Sequence, residues 1–130
     1  MPRRVFFLPF VPLLAFAVAG CGGGTKTYSA AKTRACLVQH GRVVTSVPAS
    51  NLVASAAEGG SFAVRFGNNT AIVSFGNDRD GAERIVRAYQ RFRGKNIGLL
   101  DVLHAEHNAV ILWAVHPADD YVRAIEDCLA

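Results

Sequence analysis

The fold is decided by the stretch Ser61–Phe75, which reads SFAVRFGNNTAIVSF. Large apolar residues recur at every second position on either side of Asn68-Asn69, a pattern typical of two strands in a hairpin. Asparagine tolerates positive φ, so this pair suits a two-residue turn. Such a turn predicts three cross-strand pairs on one face of the hairpin, the core face: Phe66–Ala71, Val64–Val73 and Phe62–Phe75.

Outside this hairpin, helical spacing and residues typical of helix ends predict the other elements. Ser29 suits the N-cap of a first helix, Gly41 suits its end, and Pro117 suits the first turn of a last helix. The predicted elements are helices over 28–40, 51–57, 80–92 and 117–129, and strands over 42–47, 97–103 and 108–115.

The chain also contains a short internal repeat. Thr70–Val73 resembles Asn108–Ile111, and each is followed by an amphipathic helical pattern. We therefore predict an α+β domain with a four-stranded antiparallel sheet. Its strands come from two ββα units, residues 62–92 and 97–129, whose helices lie on one face of the sheet, and an N-terminal helix precedes both units.

The first 20 residues form a separate apolar segment. Arg3 and Arg4 precede an apolar run from Val5 to Ala19, and 14 of the first 20 residues are apolar. A short basic and apolar leader of this kind is typical of an export signal and is too short to span a bilayer. Three segments are therefore expected: a signal peptide over 1–20, a flexible tether over 21–27 and a single domain over 28–130.

The leader ends in Val18-Ala19-Gly20-Cys21, which resembles the lipobox of bacterial lipoproteins. The resemblance implies that a peptidase cuts before Cys21 and that the thiol of Cys21 carries a diacylglyceryl group. It also implies that the chain contacts membrane lipid through the acylated cysteine, on the extracytoplasmic face of the cell membrane. The alternative is an ordinary secretory signal that contains a cysteine by chance.

Two cysteines remain once Cys21 is set aside. Cys36 lies near the start of the predicted domain and Cys128 near its end. An even pair in an oxidising compartment predicts a disulfide bond. Two buried thiols or a redox pair are the alternatives, and the absence of a C-x-x-C motif from the sequence disfavours the redox pair.

The charge balance argues against a nucleic-acid partner. The chain has 14 basic and 10 acidic residues, and two of the basic residues belong to the leader. A nearly balanced domain outside the cytosol lacks the basic surface that binds a phosphate backbone. Arg84, Arg87 and Arg91 nevertheless form a row on the predicted helix over 80–92. This row is either a solvated helix face or a surface for anionic lipid headgroups or wall polymers.

His104, Glu106 and His107 cluster at the tip of the predicted second hairpin. Imidazole and carboxylate groups are zinc ligands, so these residues are metal candidates. Their H-x-E-H spacing in a turn lacks the helical geometry of the H-E-x-x-H metalloprotease motif, and a polar turn is the simpler interpretation. We expect no metal, because structural zinc usually needs four ligands and His116 lies a strand away. We also expect no cofactor and no catalytic residue, since the sequence contains neither a G-x-S-x-G motif nor a glycine-rich phosphate loop after a strand.

The predicted second hairpin is apolar on both faces. An antiparallel sheet with one face in water alternates apolar and polar residues, so a second apolar face must be covered. Either the first helix or the segment 49–58 covers it, or the face binds a partner. The residues of this predicted binding face are Ile72, Leu99, Leu103, Val110 and Leu112.

The sequence therefore favours a non-catalytic module that uses this face to bind an envelope protein or a second copy of itself, or to dock to the envelope. One alternative is a carrier of a small apolar ligand or lipid on the same face. Another is a hydrolytic or metal-dependent enzyme that uses the turn of His104 and His107. A flat exposed face would favour a partner and a concave one a ligand, whereas helices over the face would remove the reason for both.

Overall fold

A computed structural model describes residues 26–93 and 99–130 of the chain. The predicted signal peptide, Cys21 and most of the predicted tether lie outside the described residues. The elements, in chain order, are α1 (Ala30–Gln39), β1 (Val43–Thr45), α2 (Leu52–Ser55), β2 (Ser61–Phe66), β3 (Asn69–Phe75), α3 (Arg79–Arg93), α4 (Leu99–Val102), β4 (Leu103–Glu106), β5 (Ala109–Trp113) and α5 (Asp119–Glu126).

The β2–β3 hairpin has the predicted core face but a different register. Its two-residue turn is Gly67-Asn68, with Gly67 at a φ of 56°, so Phe66 pairs with Asn69 and Val64 with Ala71. Glycine adopts positive φ without steric cost, which favours the earlier turn. Because the register differs by two residues, every side chain keeps its face. All six predicted core residues are buried: Phe62, Val64, Phe66, Ala71, Val73 and Phe75.

The described residues form one antiparallel sheet of five strands in the order β1-β2-β3-β5-β4. The α+β class is confirmed, but the predicted count of four strands is wrong because β1 pairs with β2 at one edge. The predicted strand over 97–103 is also wrong for residues 99–102, and residues 97–98 lie outside the described part of the chain. The α4 helix occupies Leu99–Val102, and β4 occupies Leu103–Glu106, in residues predicted to form a polar turn. An edge strand tolerates this polar sequence because one of its sides faces water.

Helices cover both faces of the sheet, which corrects the prediction that they share one face. On one face, Leu37 of α1 and Ile125 of α5 pack in a core with Ile111 and Trp113. On the other face, α3 packs over Val110 and Leu112. The interior strand β5 is apolar on both faces, and burial of both requires a helical layer on each side.

The two ends of the described domain are joined. Cys36 of α1 and Cys128, just after α5, form a disulfide bond with their Cα atoms 5.5 Å apart, as predicted. The backbone N–H of Ser29 also donates to the carbonyl of Ala130 at 2.6 Å. Ser29 caps α1 and Gly41, with a φ of 76°, follows its last turn, so the predicted cap and end residues are confirmed, although the helix is shorter than the predicted 28–40.

Gly76 allows α3 to begin directly against the end of β3. A Cβ atom at this position would lie 2.5 Å from the backbone nitrogen of Ala82 and the carbonyl carbon of Gly81. We expect Gly76→Ala to lower the free energy of unfolding by about 1–3 kcal/mol, because backbone atoms must shift to admit the methyl group. Gly41→Ala is the control: it has positive φ but no neighbour within 4 Å, so it should cost about 1 kcal/mol. Denaturant unfolding measures both, and an unchanged midpoint for Gly76→Ala would contradict the prediction.

Candidate functional site

The predicted binding face is an interior surface. Val110 and Leu112 are buried beneath Ala82, Ile85 and Tyr89 of α3. Two other residues of the predicted binding face, Ile72 and Leu103, are half-buried at the edge of the same cluster, so they do not form an exposed patch. Leu99 begins α4, and its side chain lies outside the described atoms.

The cover of this face comes partly from one of the two expected segments. Val53 of α2 and Ala57 just after it contact the cluster of Val110 and Leu112, whereas α1 packs on the opposite face. The main cover is α3, which the prediction had placed on the Trp113 side. The connection between β3 and its partner β5 contains α3, and it crosses to the side that the prediction left open.

The helices that cover this face leave an apolar depression on their outer surface, which we call the α2–α3 groove. It consists of two hollows of about 350 and 330 Å³ that share Leu52, Val53 and Phe92 in their lining, and we call the two exposed members, Leu52 and Phe92, the ridge. Small residues explain the hollow shape, because they leave the short α2 helix and the long α3 helix in contact at few points. The small residues that line the larger hollow are Ala56, Ala57, Gly76, Gly81 and Ala88.

The ridge of the groove is apolar and exposed. Leu52 is 67% exposed and Phe92 is 70% exposed, although both are large apolar side chains. The hydroxyl of Tyr89 donates to the side-chain oxygen of Asn51 at 3.3 Å, and the same oxygen caps α2 by accepting from the N–H of Ala54. These hydrogen bonds hold the helix that carries Leu52 against the helix that carries Phe92.

The predicted arginine row lies on α3, and its first member, Arg84, lines the groove. Arg84, Arg87 and Arg91 are all exposed, and Arg84 also lines the larger hollow. Arg84 lies 3.7 Å from Glu58, and Arg87 lies 3.7 Å from Glu83. Exposed ion pairs of this kind are weak and exchange readily, so the arginines can turn to other anions at small cost.

The metal candidates are only partly brought together. His104 and Glu106 are two residues apart on β4, so both lie on the side of the strand that faces α5. There the Nε2 atom of His104 lies 3.7 Å from a carboxylate oxygen of Glu126. His107 does not join them: it has a φ of 52° in the β4–β5 turn, and its ring packs edge-on against Tyr28 at 5.4 Å. The sequence gives no sign of Glu126 as a member of this cluster, because it lies in α5, far along the chain from His104 and Glu106.

Tyr28 positions one carboxylate of this cluster. Its hydroxyl donates to Glu106 at 3.0 Å. Burial raises the pKa of the Tyr28 hydroxyl, and the hydrogen bond to Glu106 and the negative charges of Glu106 and Glu126 raise it further. The hydroxyl therefore stays protonated at neutral pH and remains a hydrogen-bond donor.

The fold and the site define a small α+β domain whose antiparallel sheet is covered by helices on both faces. Comparisons of the chain with protein-family models, with curated proteins and with solved structures found no match. In the parts of the chain that the structure describes, none of the helices has both the length and the apolar character needed to cross a membrane.

Proposed function

We propose that the protein is a lipid-anchored, extracytoplasmic and non-catalytic module that docks its α2–α3 groove on the anionic surface of the membrane. The observation that carries the proposal is the exposed pair Leu52 and Phe92 on a groove that Arg84 lines, with Arg87 and Arg91 exposed on the same helix. Phe92 follows Arg91 in the chain and places an exposed aromatic side chain near the basic ones.

The apolar side chains suit the acyl-chain layer of a membrane surface, and the arginines suit its anionic headgroups. Burial of a leucine or phenylalanine side chain contributes roughly 1.5–3 kcal/mol. Each arginine near an anionic surface contributes about 1 kcal/mol. This sum gives weak, reversible docking for a free domain, and an acyl anchor on Cys21 would make docking effective by raising the local concentration of the domain at the membrane.

The exit point of the tether is compatible with this orientation. The side-chain nitrogen of Asn108 donates to the carbonyls of Tyr28 and Gly76, both at 2.9 Å. Gly76 lines the groove, so Asn108 links Tyr28, near the start of the described chain, to one end of the groove. Residues 21–27 can extend about 25 Å, comparable with the roughly 22 Å length of a 15-residue helix such as α3.

A tryptophan at position 92 tests the docking directly. In the acylated protein reconstituted into phosphatidylcholine vesicles, with or without phosphatidylglycerol, we expect brominated lipid to quench the emission of Phe92→Trp when the anionic lipid is present. Val38→Trp is the matched control, because Val38 is 53% exposed on α1, across the sheet from the groove. The native Trp113 is buried and gives the same background in both variants.

Each outcome bears on the proposal. Quenching at position 92 but not at position 38 supports it, and Leu52→Ser should then reduce the quenching. Equal quenching at both positions, or none at either, contradicts the docking. An unmodified Cys21 in the mass spectrum of the native protein contradicts the anchor.

The carrier of a small apolar ligand remains the second candidate. The observation in its favour is the larger hollow, whose volume of about 350 Å³ lies within the range of small-molecule sites. If the tryptophan at position 92 is not quenched by lipid but shifts its emission when a free fatty acid is added, the carrier function is favoured over docking.

A further inference from the structure

Three potential metal ligands from two distant elements meet on the α5 side of β4. One ligand atom from each of His104, Glu106 and Glu126 lies within 4.8 Å of the others. His104 and Glu106 reach the same side because strand side chains alternate, and Glu126 reaches it from the last turn of α5. This arrangement does not involve the α2–α3 groove, and an inference from it does not depend on the docking proposal.

The cluster brings two carboxylates together with little compensating charge. Within the described ranges, His104 is the one basic side chain in ion-pair range of Glu126, and Glu106 has none. Glu106 and Glu126 are both half-buried. Two like charges this close repel each other, and a bound cation would remove the repulsion.

The donor set and its spacing match a transition metal. One imidazole nitrogen and two carboxylate oxygens form a borderline set that zinc accepts, with bonds of about 2.0–2.2 Å. Ligand atoms around such an ion are about 3–4 Å apart, and the Nε2 atom of His104 already lies 3.7 Å from Glu126. Tyr28, whose hydroxyl donates to Glu106, has the place of an outer-shell residue that orients a ligand.

We propose that His104, Glu106 and Glu126 bind one divalent transition-metal cation of the zinc class, with the remaining coordination positions taken by water. The bound ion would join β4, an edge strand paired only with β5, to the last turn of α5. His107, which the sequence spacing grouped with His104, takes no part in the site.

The test uses Co²⁺ and Zn²⁺ alone as probes of the full chain, under oxidising conditions and without a histidine tag. Titration calorimetry with Zn²⁺ and the visible absorption of Co²⁺ should both show one ion per chain. We expect His104→Ala and Glu126→Gln each to weaken binding at least tenfold. His107→Asn should bind as the wild type does, and asparagine tolerates the positive φ of this position.

A second group of potential metal ligands needs its own control. Cys36, His40 and Cys128 also lie within 4.8 Å of one another, but their sulfur atoms are joined in the disulfide bond. His40→Ala should therefore bind the metal as the wild type does. Loss of binding in His40→Ala, unchanged binding in His104→Ala and Glu126→Gln, or no stoichiometric binding by the wild type would each overturn the proposal.

Discussion

Replacement of both Cys36 and Cys128 by alanine is expected to lower the free energy of unfolding by about 4–5 kcal/mol. The two residues are 92 positions apart, so the bond closes almost the whole domain into one loop in the unfolded state. In the chain-entropy description, a loop of about this length contributes that much stability. Small domains are stable by about 5–15 kcal/mol, so the variant should unfold at a much lower denaturant concentration.

Denaturant unfolding of the oxidised wild type, the reduced wild type and the double variant measures this effect. The reduced wild type should unfold close to the double variant, because both lack the same constraint. A loss of less than about 1 kcal/mol in the double variant would contradict the prediction, since it would mean that the bond barely restricts the unfolded chain.

Replacement of Asn108 by alanine is expected to lower the free energy of unfolding by about 3–4 kcal/mol. Asn108 is 2% exposed, and its side chain forms three hydrogen bonds to backbone groups. It accepts from the N–H of Tyr28 at 2.6 Å and donates to the carbonyls of Tyr28 and Gly76. Each hydrogen bond contributes about 1 kcal/mol, and backbone groups left buried without a partner add to the cost.

Asn77→Ala is the matched control for Asn108. Asn77 is exposed, and its side chain donates one hydrogen bond, to Glu58 at 3.0 Å, so its loss should cost less than about 1 kcal/mol. Hydrogen exchange adds a local readout, because Asn108→Ala should expose the Tyr28 amide to solvent. Equal stability of the two variants would contradict the role assigned to Asn108.

In the β2–β3 hairpin, the local sequence pattern predicted which side chains are buried but not where the turn lies. The period of two predicted the buried face correctly, because a strand side chain keeps its face under a register change of two residues. The turn position was wrong because Gly67 takes the positive φ of the turn and because Asn69 has a distant partner. Its side-chain nitrogen donates to the carbonyl of Val115 at 3.0 Å, beyond the end of β5, and this bond holds Asn69 in β3 rather than in the turn.

In the candidate sites, too, spacing within one helix was predictive, whereas contacts between distant elements were not. The arginine row followed from helical spacing, and its exposure is confirmed for Arg84, Arg87 and Arg91. The exposure of Phe92 could not be predicted, because the same spacing assigns it to the buried side of the helix. The meeting of Glu126 with His104 depends on how α5 crosses β4, which no spacing within either element encodes.

The amino-acid sequence by itself determined the α+β class, the core face of the hairpin, the capping residue of α1 and the pairing of Cys36 with Cys128. These features depend on residues within one or two turns of each other, or on the few partners available to a thiol. The tertiary structure alone decided that α3 covers Val110 and Leu112 and that the exposed apolar surface lies on the outside of the helices. The physical reason is that the side of a sheet on which a helix packs depends on the pairing of strands far apart in the chain, here β3 with β5.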